Sequence, residues 1–85
     1  MPTISMFYGI IISMYFNDHM PPHFHARYQG HEAAFTFDGE LLTGNLPHKQ
    51  EAMVRAWALI HSDELAAVWE LAGSEGQTFK IDPLR

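Results

Sequence analysis

The sequence predicts a single α+β domain over residues 1–85: a small antiparallel β-meander of about four strands with two α-helices packed on one face. Three observations predict it. Apolar residues recur at period two through most of the chain up to Gly44. Gln29–Gly30 and Asp38–Gly39 are turn dipeptides that separate those runs. Beyond Pro47 the apolar period lengthens to that of a helix. With 85 residues, 47% of them hydrophobic, there is enough apolar surface for one modest core and too little chain for a second.

From Ile4 to Phe16 the residues are β-branched and aromatic. Ile10, Ile12, Met14 and Phe16 share one face, with Ser13, Tyr15 and Asn17 on the other, which predicts one strand, or two with Gly9 as a bend or bulge. Asn17 to Pro22 reads as a loop, since prolines donate no ladder hydrogen bond and Asn and Asp favour turns. His23 to Tyr28 alternates again, Phe24, Ala26 and Tyr28 pointing one way and His23, His25 and Arg27 the other. A two-residue turn at Gln29–Gly30 then pairs Tyr28 with His31, Arg27 with Glu32, His25 with Ala34 and Phe24 with Phe35. That register stacks two aromatics on the core face and sets Arg27 against an opposite charge. A tight turn at Asp38–Gly39 places Leu42 opposite Phe35 and extends the apolar face.

Pro47 suits the first turn of a helix running to about His61, with Met53, Trp57 and Ile60 as its apolar stripe. Ser62, followed by Asp63 and Glu64, reads as the capped start of a second helix, which carries Leu65, Val68, Trp69 and Ala72 and ends at Gly73. Thr78–Ile81 forms a last short strand or an extended tail. Trp57 and Trp69 are expected in the core, and His61 is expected to bond a terminal carbonyl or offset the helix dipole.

The formal charge is −5, from ten Asp+Glu against five Lys+Arg, which argues against non-specific nucleic-acid binding. Six histidines make that charge sensitive to mild acid. With no cysteine, disulfides and thiolate zinc sites are excluded, and any metal would need His, Asp or Glu. The N-terminus lacks a secretory signal, and the apolar run Tyr8–Ile12 is far too short to cross a bilayer, so the expected location is cytoplasmic.

The chemistry gathers between Asp18 and His31. His23 and His25, one residue apart on a strand, put two imidazoles on one face, as many strand-borne metal sites do. Asp18 and His19 in the adjoining loop complete a candidate metal set of Asp18, His19, His23 and His25, which would take a divalent transition metal such as Zn or Ni. The same spacing also fits a solvated strand edge, with Asp18 capping the turn. His31 falls on the opposite face. A metal-free alternative uses His23 and His25 as acid and base and Arg27 as a transition-state cation, acting on RNA. A third reading is protein interaction, through Ile11, Ser13 and Tyr15 beside His23, His25 and Arg27, or through a sheet edge that pairs with a partner's strand or a second copy of the chain.

The run Phe7–Tyr8–Gly9–Ile10–Ile11–Ile12, followed by Asp18–His19 and Pro21–Pro22–His23–Phe24–His25–Ala26–Arg27–Tyr28, resembles the signature of a bacterial family catalogued as domain of unknown function 4160. The resemblance continues through Gly44, Leu46–Pro47, Trp57, His61 and Trp69–Glu70–Leu71–Ala72. It implies a tiny stand-alone protein, encoded beside another very small one in an arrangement like that of toxin–antitoxin pairs. A small partner protein encoded nearby is therefore expected, and the sequence reading is an interaction component of such a paired module. The alternative is a small histidine-based hydrolase, with or without metal, acting on RNA.

Overall fold

The structure, a computed structural model, describes residues 2–15 and 20–85. Five strands form one antiparallel sheet in sequence order: β1 (Thr3–Phe7), β2 (Ile10–Ser13), β3 (Phe24–Tyr28), β4 (His31–Phe35) and β5 (Leu41–Gly44). Two helices follow, α1 (His48–Ile60) and α2 (Ser62–Glu75). The count exceeds the expected four because the first apolar stretch is a hairpin. Tyr8 (φ 50°) and Gly9 (φ 80°) are both left-handed, the conformation of a two-residue turn whose twist matches its strands.

Gln29 (φ 46°) and Gly30 (φ 84°) repeat that turn between β3 and β4, and the resulting pairs are Tyr28 with His31, Arg27 with Glu32, His25 with Ala34 and Phe24 with Phe35. The next hairpin departs from expectation, because Phe35 pairs with Leu41 and not with Leu42. Thr36 is the cause. Its hydroxyl accepts from the amides of Asp38 (3.3 Å) and Glu40 (3.1 Å), while its own amide donates to the Glu40 carbonyl (2.9 Å). The connection is thereby a five-residue loop, and the ladder slips between Ala34 and Phe35.

Ile10, Ile12, Phe24, Ala26, Ala33 and Phe35 make the buried side of the sheet, against Val54, Trp57 and Ala58 of α1 and Leu65 and Val68 of α2. Trp57 is fully buried, with ring centroids 5.5 Å from Phe7 and 5.6 Å from Phe24. Its indole N–H donates to the Asp82 carbonyl (2.8 Å). The tail is held along β1 as well: the Ile81 amide donates to the Ile4 carbonyl (2.8 Å) and Lys80 Nζ to the Thr3 carbonyl (2.9 Å). It is an extended tail that occupies the β1 edge.

The helices correct four expectations. The buried stripe of α1 is Val54, Trp57 and Ala58, rotated from the predicted one, so Ile60 is 66% exposed. Ser62 is the first residue inside α2 and makes no capping bond; His61 holds the cap position instead. Its Nδ1 lies 2.5 Å from Glu64 Oε1 and its ring packs on Trp57, so His61 pairs with a carboxylate, not a terminal carbonyl. Finally, α2 runs through Gly73 to Glu75 and stops at Gly76, whose φ of 65° reverses the chain. Replacing Ile60 by Lys is therefore expected to change stability by less than about 0.5 kcal/mol, against about 2–5 kcal/mol for Leu65→Ala, in urea denaturation.

Candidate functional site: a histidine-floored groove beside an open sheet edge

Antiparallel pairing carries one row of side chains across four strands on the side of the sheet away from the core: Ser13, His25, Ala34 and Thr43. Three of these are small. His25 therefore stands with low neighbours on either side, and over Ala34 and Thr43 beside it opens a groove of about 640 Å³. Tyr15, Met20, Pro21, His23 and Leu42 complete its walls.

The two histidines do share a side, as their spacing predicts, and their rings meet edge to face with centroids 5.0 Å apart. Tyr15 meets His25 in the same manner at 4.6 Å. His23 is buried; its Nδ1 donates to the Pro21 carbonyl (2.6 Å) and its ring lies 5.6 Å from Trp69 of α2. A carbonyl only accepts, so the His23 Nδ1 carries a proton and its ring is oriented by the loop before it. His25 Nδ1 lies 3.8 Å from Glu32 Oε2.

That contact changes the expected role of Glu32. It stands opposite Arg27 in the ladder, yet its carboxylate reaches toward His25, and among the described residues Arg27 makes no ion pair within 4 Å. Arg27 lines a second groove, with Gly9, Ile11, Tyr28, Gln29, Gly30, His31 and Glu32. Of the three candidate catalytic residues, His23 and His25 line the first groove together, and Arg27, two residues along β3 on the same side as His25, lines the second. His31 pairs with Asn45 (Nδ1 to Oδ1, 3.3 Å), outside the histidine groove.

Of the candidate metal set, Asp18 and His19 lie outside the described residues, and His23 and His25 are the pair on view. Among the described residues no three of His, Asp and Glu gather as metal ligands would. With Nδ1 occupied by Pro21, His23 would ligate through Nε2.

Sequence reasoning missed the apolar rim. All four β5 residues are exposed, including Leu41 (41%) and Leu42 (39%), and Met20 across the groove is 70% exposed. The pattern of β5 read as a core strand, but with the sheet ending there and both helices packed elsewhere, its leucines stay open. Among the described residues no helix is long and apolar enough to cross a membrane.

The fold and its groove define a small α+β protein built on a five-stranded meander, closed at one edge by its own tail and, among the described residues, open at the other. The chain belongs to the family described as Domain of unknown function (DUF4160), whose model matches residues 9–70, from the first turn to the middle of α2. No curated protein and no solved structure matches it.

Proposed function

We propose that this chain is the interaction component of a paired module of toxin–antitoxin type, binding a small partner protein along β5 and into the adjoining groove. One observation carries the reading: β5 is exposed along its whole length, with two leucines on it, while the opposite edge is occupied by the tail. An edge strand offers unpaired N–H and C=O groups in register, which a partner's strand can extend. Protein surfaces seldom leave such an edge bare, and the Lys or Pro that would blunt it is missing from Leu41–Gly44. The groove beside it supplies what a strand alone lacks, namely aromatic and methionine side chains of the kind that interface centres favour.

The test is co-expression with whichever small protein is encoded next to this chain. The two are expected to copurify, and the double variant Leu41→Lys, Leu42→Lys is expected to lose the partner with its circular dichroism and melting temperature unchanged. His25→Ala is expected to keep the partner. Failure of the wild-type pair to copurify, or retention of the partner by the double-lysine variant, overturns the proposal.

The histidine-based hydrolase acting on RNA is the other reading of the groove, supported by the Nδ1 bond that orients His23. It requires RNA cleavage by the wild type that His25→Ala abolishes without loss of the partner. The opening of Arg27 onto a different groove and the net charge of −5 weigh against it.

A further inference from the structure

A third groove, of about 590 Å³, lies between the β1–β2 turn, the end of β3, the start of α1 and the C-terminal residues. Tyr8, Tyr28, Lys49, Gln50, Met53 and Arg85 line it, and no Asp or Glu does. In a chain with ten acids and five bases, two of the bases sit here. The others are engaged or elsewhere: Arg55 pairs with Glu51 (3.7 Å), Lys80 donates to Thr3, and Arg27 belongs to the neighbouring groove. Among the described residues Lys49 and Arg85 form no ion pair within 4 Å, so two unpaired cations sit together on an acidic molecule.

The aromatic half of the groove is equally specific. Tyr8 occupies a left-handed turn position (φ 50°) that Asn, Asp or Gly fills far more readily, and the residue is 62% exposed. Among the described residues that ring stacks on no other. Tyr28 is held nearby: a Cβ on Gly9 would meet its Cε1 at 3.4 Å, so the ring edge rests on the turn itself. A bulky ring kept at an unfavourable backbone position, open to solvent and beside two unpaired cations, has the make-up of a stacking platform.

We infer that this groove binds a nucleoside monophosphate, the ring stacking on Tyr8, the phosphate taken by Lys49 and Arg85, and the Gln50 amide within the same groove to hydrogen-bond a base edge. The ligand is a single nucleotide, free or at the end of a strand. A longer polyanion would carry its further phosphates over a surface whose net charge is −5. This site is separate from the β5 groove and does not depend on the partner reading.

The experiment is titration of the protein, followed by amide chemical shifts, with adenosine and uridine 5′-monophosphates, adenosine, inorganic phosphate, a 5′-phosphorylated hexanucleotide, and a short acidic tyrosine-containing peptide. Monophosphates are expected to shift the amides of Tyr8, Lys49 and Gln50, with sub-millimolar affinity at least about tenfold tighter than either adenosine or phosphate alone. Tyr8→Asn, which suits the turn and so keeps the fold, is expected to weaken binding about tenfold or more, and Lys49→Gln likewise. Equal binding of the hexanucleotide and the monophosphate supports the site and names a strand end as a source. Four results overturn it: no shifts at about 5 mM nucleotide, adenosine binding as well as its monophosphate, shifts centred on the Arg27 groove, or a short acidic tyrosine-containing peptide binding more tightly than any nucleotide.

Discussion

Trp57→Ala is expected to cause the largest loss of stability from any single truncation in this fold. The indole is the largest fully buried side chain, and it touches β1 through Phe7, β3 through Phe24 and the helix junction through His61. Truncating a buried aromatic of this kind costs about 3–5 kcal/mol, transfer and cavity together. The substitution also removes the N–H that holds the Asp82 carbonyl, so the tail loses an anchor and Ile81 is less firmly kept on β1. A domain of this length has a total stability of about 4–13 kcal/mol, so a loss of that size removes from about a quarter to all of it. Trp57→Phe separates the two parts: it keeps most of the packing and loses the hydrogen bond, at about 1–3 kcal/mol. Urea denaturation read by far-ultraviolet circular dichroism checks both, with Trp69 retained as a fluorescent reporter. A near-wild-type midpoint for Trp57→Ala would show that the core closes without it.

What the sequence makes legible here is whatever depends on neighbours in the chain. The β3–β4 register follows from one turn and the alternation around it, so His23 and His25 could be assigned to one side and His31 excluded before any coordinates. The β4–β5 register could not, because it depends on Thr36 choosing to bond Asp38 and Glu40, a competition that the Asp38–Gly39 dipeptide does not reveal. Gly73 and Gly76 look alike as helix stops. Only Gly76 has the left-handed backbone, and Gly73 sits on the exposed side of α2 where its missing side chain costs little packing. Ile60 fits a helical stripe as well as Val54 does, and only packing against the rest of the fold, which buries Val54 and leaves Ile60 out, chooses between them. Grooves are the least legible of all. The contact of Trp69 with His23 joins residues far apart in the chain, and Tyr8, Lys49 and Arg85 meet only because the first hairpin, α1 and the C-terminal residues end at one corner.

Gly44→Ala is expected to have the second largest effect, and to couple stability to the open edge. Gly44 has a φ of 73°, and a Cβ built on it would stand 2.1 Å from the Glu32 carbonyl oxygen and 3.0 Å from the Ala33 Cα. Both neighbours are backbone of β4, so no side-chain rotation relieves the contact and the strands must separate at that end. The same carbonyl accepts from the Asn45 amide (3.2 Å), a bond that separation breaks. The left-handed conformation alone costs a residue with a Cβ about 1–2 kcal/mol, and loss of the strand-end bond adds about 0.5–1.5 kcal/mol before the clash is counted. Gly30→Ala is the internal reference. It has a φ of 84° but nothing within 4 Å of the added carbon, so it should cost the conformational part only. The difference between the two midpoints in urea then measures the contact with Glu32. Equal losses would mean that β4 and β5 part freely, and in that case β5 is too loosely held to present a register to any partner strand. Gly44→Ala is further expected to remove hydrogen-exchange protection from the Asn45 amide and to weaken capture of the partner. Gly30→Ala, at the same end of β4 but with nothing near the added carbon, should leave capture intact, because the row from Ser13 to Thr43 and the leucines of β5 do not depend on that turn's side chains.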